Sequence, residues 1–328
     1  MELNSSHLIA VARGHDQESE IKVEQLPTPR SLCGEGPHWD IERQSLFYID
    51  IYGPNSTMLR YDYNLNKTFA STVDNEPLMT FILPVKGTCD QFLVGTKNKA
   101  KVIRWDGFST KGEVIRTAFE VETDDFYNTN RFNDAKADPI GRFVGGTLRF
   151  DECKKSLDLA NASLYSFDCG HGVRQLRENI FISNGLTWVN KTNKFYYIDS
   201  CAHNVLEFDY DLETGDLSNE RIAFTLTENG ETPDYVLDGM TSDINGILYI
   251  ATYGGSKIME VDPLNGEVRR EIYFEASKIT SVAFGGPNLD ILFATTASRD
   301  QSDPDSAGHL FKIIGLDTVG TPGEKVVV

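Results

Sequence analysis

No run in the sequence approaches the ~18 to 20 consecutive apolar residues that cross a bilayer as a helix, so no membrane partner is expected. Cysteine is sparse. The five residues Cys33, Cys89, Cys153, Cys169 and Cys201 are odd in number, far apart and free of any CxxC pair. That usage suits reduced thiols in a cytoplasmic protein better than a disulfide framework. Basic residues are outnumbered, 31 against 49 acidic, for a formal charge of -18. Such a potential repels phosphate backbones and anionic lipid and attracts cations, so nucleic acid is not expected as a partner. Met1 to Glu20 lack the apolar core of a secretory signal and read as a disordered lead-in, with 21–328 as one folded domain. The sequons beginning at Asn4, Asn55, Asn66, Asn161 and Asn190 are read as chance in that setting.

Several catalytic signatures are also missing. The six histidines form no HxH or HExxH group, which removes a histidine-rich zinc site, and there is no GxSxG elbow. Gly34-Glu35-Gly36 begins like a dinucleotide fingerprint, but Trp39 stands where the third glycine belongs and no helix follows. The stretch from Asp209 to Glu220 has EF-hand spacing in part, yet Gly215 falls one place late between strands, so a hairpin loop is the reading. His38 reads as an ordinary partly buried imidazole beside Trp39.

What the sequence does contain is a repeat. Leu46–Ile51, Lys194–Asp199, Ile247–Ala251 and Ile291–Thr295 look like copies of one apolar strand, each followed after a polar turn by a second alternating strand. Superposed, they define units starting near Gly34, Leu78, Phe132, Ser183, Leu237 and Thr280, at intervals of roughly 40 to 55 residues. That is the length of a four-stranded propeller blade, and continuous amphipathic helices are nearly absent. The fold predicted is all-β: a six-bladed β-propeller of four-stranded antiparallel blades around a central channel. Ile21–Gln25 or Lys325–Val328 is expected to complete the last blade across the ring.

Aligning the unit starts brings Glu35, Asn133, Asn184 and Asp238 to one phase, with Thr80 and Ser281 in the other two units. The first strand of each blade lines the channel, so residues about 50 apart in sequence point at one axial spot. Two carboxylates and two amide oxygens there make a hard oxygen cage suited to Ca²⁺, Mg²⁺ or Mn²⁺. The competing reading takes Asn184-Gly185 and Asp238-Gly239 as hairpin turns. It is weakened by the shared phase and by the apolar strand after each pair.

At these residues the chain resembles the senescence marker protein (regucalcin), gluconolactonase and luciferin-regenerating enzyme family. The motifs are Gly34-Glu35-Gly36-Pro37-His38-Trp39, Asn130 to Pro139, Gly146-Thr147-Leu148, Ile182 to Trp188, Tyr197-Ile198-Asp199-Ser200, Asp238-Gly239-Met240 and Ser281 to Gly286. The resemblance implies one divalent ion, Ca²⁺ first with Zn²⁺, Mn²⁺ or Mg²⁺ also compatible, held by Glu35, Asn184 and Asp238. It also implies that Asp238 is the general base and that Arg131, Asn133 and Asp151 contact substrate. This chain departs from the family at Asp151, often a glutamate, at Leu237, commonly a proline, and at Arg149-Phe150. Those changes leave the ligands intact and bear on the substrate.

The activity so implied is metal-assisted hydrolysis of a small lactone; separately, a cytoplasmic monomer is expected. A non-catalytic Ca²⁺-binding regulatory or buffering protein is the alternative that the same cage would serve. Arg131 has its own alternative, an ion pair with Asp134 or Asp138.

Overall fold

The structure, a computed structural model, describes residues 21–149, 152–153 and 160–328. After β1 (Lys22–Gln25), the chain runs through consecutive antiparallel meanders. The first is β2 (Gly34–Asp40), β3 (Ser45–Asp50), β4 (Thr57–Asp62) and β5 (Lys67–Val73). The second is β6 (Met79–Pro84), β7 (Gln91–Thr96), β8 (Lys99–Arg104) and β9 (Lys111–Glu120). The third is β10 (Arg131–Ala137), β11 (Phe143–Leu148), β12 (Ala162–Asp168) and β13 (Gly172–Ile180). The fourth is β14 (Ser183–Val189), β15 (Lys194–Asp199), β16 (Asn204–Tyr210) and β17 (Leu217–Thr225). The fifth is β18 (Val236–Ser242), β19 (Leu248–Tyr253), β20 (Lys257–Asp262) and β21 (Glu267–Tyr273). The last is β22 (Ile279–Gly285), β23 (Ile291–Thr296) and β24 (Phe311–Ile314), completed by β1, which pairs antiparallel with β24. The N-terminal segment therefore closes the last sheet. The C-terminal one instead bridges Val85 through Val326 and bonds Gly141 through the Val327 N–H.

The arrangement is propeller-like, but the prediction of six separate four-stranded sheets needs correcting. Four sheets are separate, and the first two meanders merge into one eight-stranded sheet. The join is a short parallel pairing of Thr72 with Lys111 and Val73 with Gly112, which satisfies outer-edge groups of both. Among the described residues no helix is long and apolar enough to cross a membrane.

The core explains the apolar runs. In β3, Leu46 and Tyr48 pack into one cluster and Phe47 and Ile49 into another, as alternation along a strand requires. In β15, Phe195 and Tyr197 face one neighbouring sheet while Tyr196 and Ile198 face the other. A strand buried on both faces reads as a continuous apolar stretch. The clusters join consecutive meanders in turn, and one links the last back to the first through Trp39 stacked on Phe293. The first strands likewise contact one another in cyclic order, β2, β6, β10, β14, β18, β22 and back to β2.

The cysteine reading also changes. Cys153 and Cys201 form a disulfide, while Cys33, Cys89 and Cys169 are free thiols. The residues lie 48 apart in sequence, but the segment after β11 and the turn after β15 meet at the same end of adjacent sheets, beside Leu148 and Ile182. The Asp209–Glu220 stretch is a hairpin connection, with Gly215 at φ +75° closing its turn.

Candidate functional site

Every inner strand slips register by one residue, within a residue of one height. The slips fall between Glu35 and His38, Met79 and Ile82, Phe132 and Ala135, Ser183 and Leu186, Leu237 and Met240, and Ile279 and Ser281. A bulge of this kind re-aims the side chain beside it, which turns the phase seen in the sequence into a ring of side chains around the channel. Asn184-Gly185 and Asp238-Gly239 lie within β14 and β18, not in hairpin turns. Their glycines serve close packing: a Cβ on Gly185 would sit 2.6 Å from the Asp238 carbonyl oxygen, and one on Gly239 2.0 Å from Ser281 Oγ.

The incoming loops are held by a repeated device. Asp50 accepts the backbone N–H groups of Leu32 and Cys33 at 3.1 and 2.9 Å, and Asp199 accepts those of Phe181 and Ile182 at 3.0 and 3.1 Å. Each carboxylate fixes the approach to an inner strand, that carrying Glu35 or that carrying Asn184.

Glu35, Arg131, Asn133, Asn184 and Asp238 are all buried and together line one cavity of about 430 Å³. Asp151 lies outside the described residues. Thr80 and Ser281, at the matching height, do not line this cavity. Ser281 faces a smaller one, about 100 Å³, toward the other end of the channel with His38, Asp134 and Lys136.

The floor is organised by hydrogen bonds. Arg131 donates from Nη1 to Asn133 Oδ1 at 2.9 Å and to the Phe132 carbonyl at 3.0 Å, and from Nη2 to the Tyr52 hydroxyl at 2.7 Å. It is therefore not the ion-pair partner of Asp138, which takes Arg142 at 2.7 Å. Asn133 Nδ2 donates to the Ser183 carbonyl at 2.8 Å and approaches Asn184 Oδ1 at 3.3 Å. Asn184 Nδ2 donates to Ser200 Oγ at 2.8 Å, which fixes the amide so that Oδ1 is the atom left to accept.

Ser200, Tyr52 and the cavity-lining Tyr253 went unassigned in the sequence reading. The signal for the first two was positional: each directly follows, or nearly follows, one of the matching Asp50 and Asp199 positions.

The electrostatics are those of crowded, buried carboxyl groups whose charged forms are disfavoured. Among the described residues no ion pair includes Glu35, Asp134 or Asp238. Burial, then the Asp134 charge, pushes Glu35 up to about 8. Burial, then Glu35 and Asp134, drives Asp238 well above the carboxylate range. Asp134 is raised by burial and keeps Oδ2 without a hydrogen bond.

A divalent cation fits this floor. It would relieve the repulsion, and the donors are hard oxygens. Among the described residues no three His, Cys, Asp or Glu side chains group to hold a metal, so an ion here would need amide oxygen in its ligand set.

Comparison with known proteins identifies the family of the chain. Residues 33–298 match the family described as SMP-30/Gluconolactonase/LRE-like region. Regucalcin of Macaca fascicularis is 35% identical over 308 residues, covering 92% of this chain and 97% of its own, and that of Gallus gallus is 32% identical over 309. A solved luciferin-regenerating enzyme superposes with a TM-score of 0.84 at 36% identity, over 93% of this chain and 99% of its own. A gluconolactonase from Xanthomonas campestris shares the fold at TM-score 0.68 and 15% identity, over 94% and 97%. The chain belongs to the SMP-30/gluconolactonase/LRE-like family.

Proposed function

From that membership we propose that the protein is a metal-assisted lactonase, and that its eight-stranded sheet is two blades side by side in a six-bladed ring. The observation that carries the reading is the buried Glu35 and Asp238 pair, facing one cavity with Asn184 Oδ1 and lacking an ion-pair partner among the described residues. Glu35, Asn184 and Asp238 would hold one divalent ion, which when bound supplies positive charge to the carbonyl oxygen of a cyclic ester.

The chain's own groups carry the proton and the orientation. Asp238 accepts a proton from the water whose oxygen attacks the carbonyl carbon. The ring C–O bond breaks, and the same carboxyl returns the proton to the departing alkoxide, leaving an open hydroxy acid. Asn133, pinned by Ser183 and Arg131, presents its amide beside the reacting carbonyl. Arg131, anchored on Tyr52, offers positive charge at the same wall, and Asp151 is assigned a substrate contact from its place after Gly146-Thr147.

A pH-stat assay of lactone opening, with and without chelator, tests this. The rate should fall to background on chelation and return with the ion. The alternative, Ca²⁺ binding without turnover, draws on the curated regucalcin relatives and on a solved structure named as a calcium-binding protein. Tight Ca²⁺ binding with no turnover under Ca²⁺, Mn²⁺ or Zn²⁺ would favour it.

A further inference from the structure

We infer that the ester taken by this cavity carries an apolar aryl or alkyl body, and is not a polyhydroxylated sugar lactone. The inference rests on the lactonase reading and specifies its substrate. The cavity lining divides by chemistry and exposure. Its polar floor is buried, and much of its hydrogen bonding is already committed: Asn133 to Ser183, Asn184 to Ser200, Arg131 to Tyr52 and Asn133. Its outer charges, Glu152, Asp234 and Arg299, are solvent-exposed and so mark the mouth.

Beside the floor the wall is largely apolar: Ile51, Leu148, Ile182, Val236 and the Cys153–Cys201 disulfide, with the Tyr253 phenol and the His203 imidazole as its polar tips. Ile51, Leu148, Ile182 and Cys201 are buried. A sugar lactone carries a hydroxyl on most ring carbons, and those set against Ile51, Leu148, Ile182 and Val236 would give up their water without gaining a partner. An aryl or alkyl group there gains from leaving water. The floor has room to recognise one ester carbonyl, and the wall recognises what is attached to it.

The test compares kcat/KM of the Ca²⁺-saturated protein for dihydrocoumarin, an aryl lactone, and for glucono-δ-lactone. The aryl lactone should be preferred by roughly tenfold or more, the range that apolar pocket contacts supply. Val236→Thr puts a hydroxyl on the wall at nearly constant shape. It should cut that preference by about threefold or more, while leaving Ca²⁺ affinity, and hence the folded floor, unchanged. Preference for the sugar lactone, or a preference that Val236→Thr does not move, overturns the inference but leaves the lactonase reading standing.

Calorimetric binding of the corresponding lactams, an aryl lactam and a gluconolactam, separates the two claims if neither lactone turns over. Tighter aryl binding without turnover sustains the pocket assignment and removes the hydrolase reading. No discrimination between the lactams overturns the pocket assignment.

Discussion

The inner strands of the ring share one backbone irregularity but divide by chemistry. β2, β10, β14 and β18 carry Glu35, Asn133, Asn184 and Asp238 beside the bulge, whereas β6 and β22 carry Thr80 and, through Thr280 and Ser281, only small hydroxyls. On β22, Thr280 Oγ1 is spent on structure, donating to the Gly34 carbonyl at 2.5 Å and meeting Thr295 Oγ1 at 2.9 Å. Thr80 Oγ1 is buried with no hydrogen bond. The bulge therefore supplies direction to every strand, and residue identity decides which of them form a site. Geometry is the repeated property of this fold, and function sits in the exceptions to sequence repetition.

Variants that erase this division should have graded effects. Asp238→Asn keeps size but removes the base, and should lower kcat for lactone opening by about 10² to 10⁴, measured at saturating metal. Glu35→Gln should weaken divalent-ion affinity by on the order of 100-fold, because ligand charge sets affinity in oxygen cages. It should also change the pH behaviour of the metal-free protein. Glu35 keeps its proton in the fold up to about 8, whereas the unfolded chain loses it near the ordinary carboxylate value. The unfolded state therefore binds fewer protons in that window, and metal-free wild type should lose stability as pH rises toward about 8. Urea midpoints of the glutamine variant should lack that share of the fall.

The opposite end of the same strand gives a contrasting titration. Burial pushes His38 down to about 4, so the unfolded chain takes up a proton near pH 6.5 and the folded one does not. Stability present above about 6.5 should be lost as pH falls through about 4, by about 3 kcal/mol in total. His38→Gln should flatten that limb of the urea midpoint curve. Ser200→Ala releases the Asn184 amide and should reduce metal affinity by about 10-fold, as loss of a ligand-orienting group does; Ser200→Thr should restore part of it. Smallest of all, Thr80→Val should leave metal affinity and turnover unchanged and shift stability by no more than about 1 kcal/mol.

Much of this was legible because the signal was local and repeated. The β3 and β15 runs announced strands buried on both faces, and the predicted unit starts fall within a residue or so of the inner strands. Glu35, Asn133, Asn184 and Asp238 could be aligned because the bulges fall within a residue of one height. What escaped depends on chain segments meeting in space. The merged sheet rests on two backbone pairs, and nothing in the residues of β5 or β9 announces them. The disulfide needs Cys153 and Cys201 brought to one end of neighbouring sheets, which their sequence separation conceals. Ser200 is one serine among many until its hydroxyl is found beside Asn184. Nothing in the sequence marks Ile51, Ile182 and Val236 as lining the cavity wall, which they do.

The central claim is that Glu35 and Asp238 remain buried as a pair because a cation joins them. Calorimetric titration of metal-stripped protein with Ca²⁺ and Mn²⁺, for wild type, Glu35→Gln and Asp238→Asn, tests it most directly. The account predicts one ion per wild-type chain and strongly weakened binding in both variants. No binding by wild type, or binding that neither substitution weakens, would contradict it.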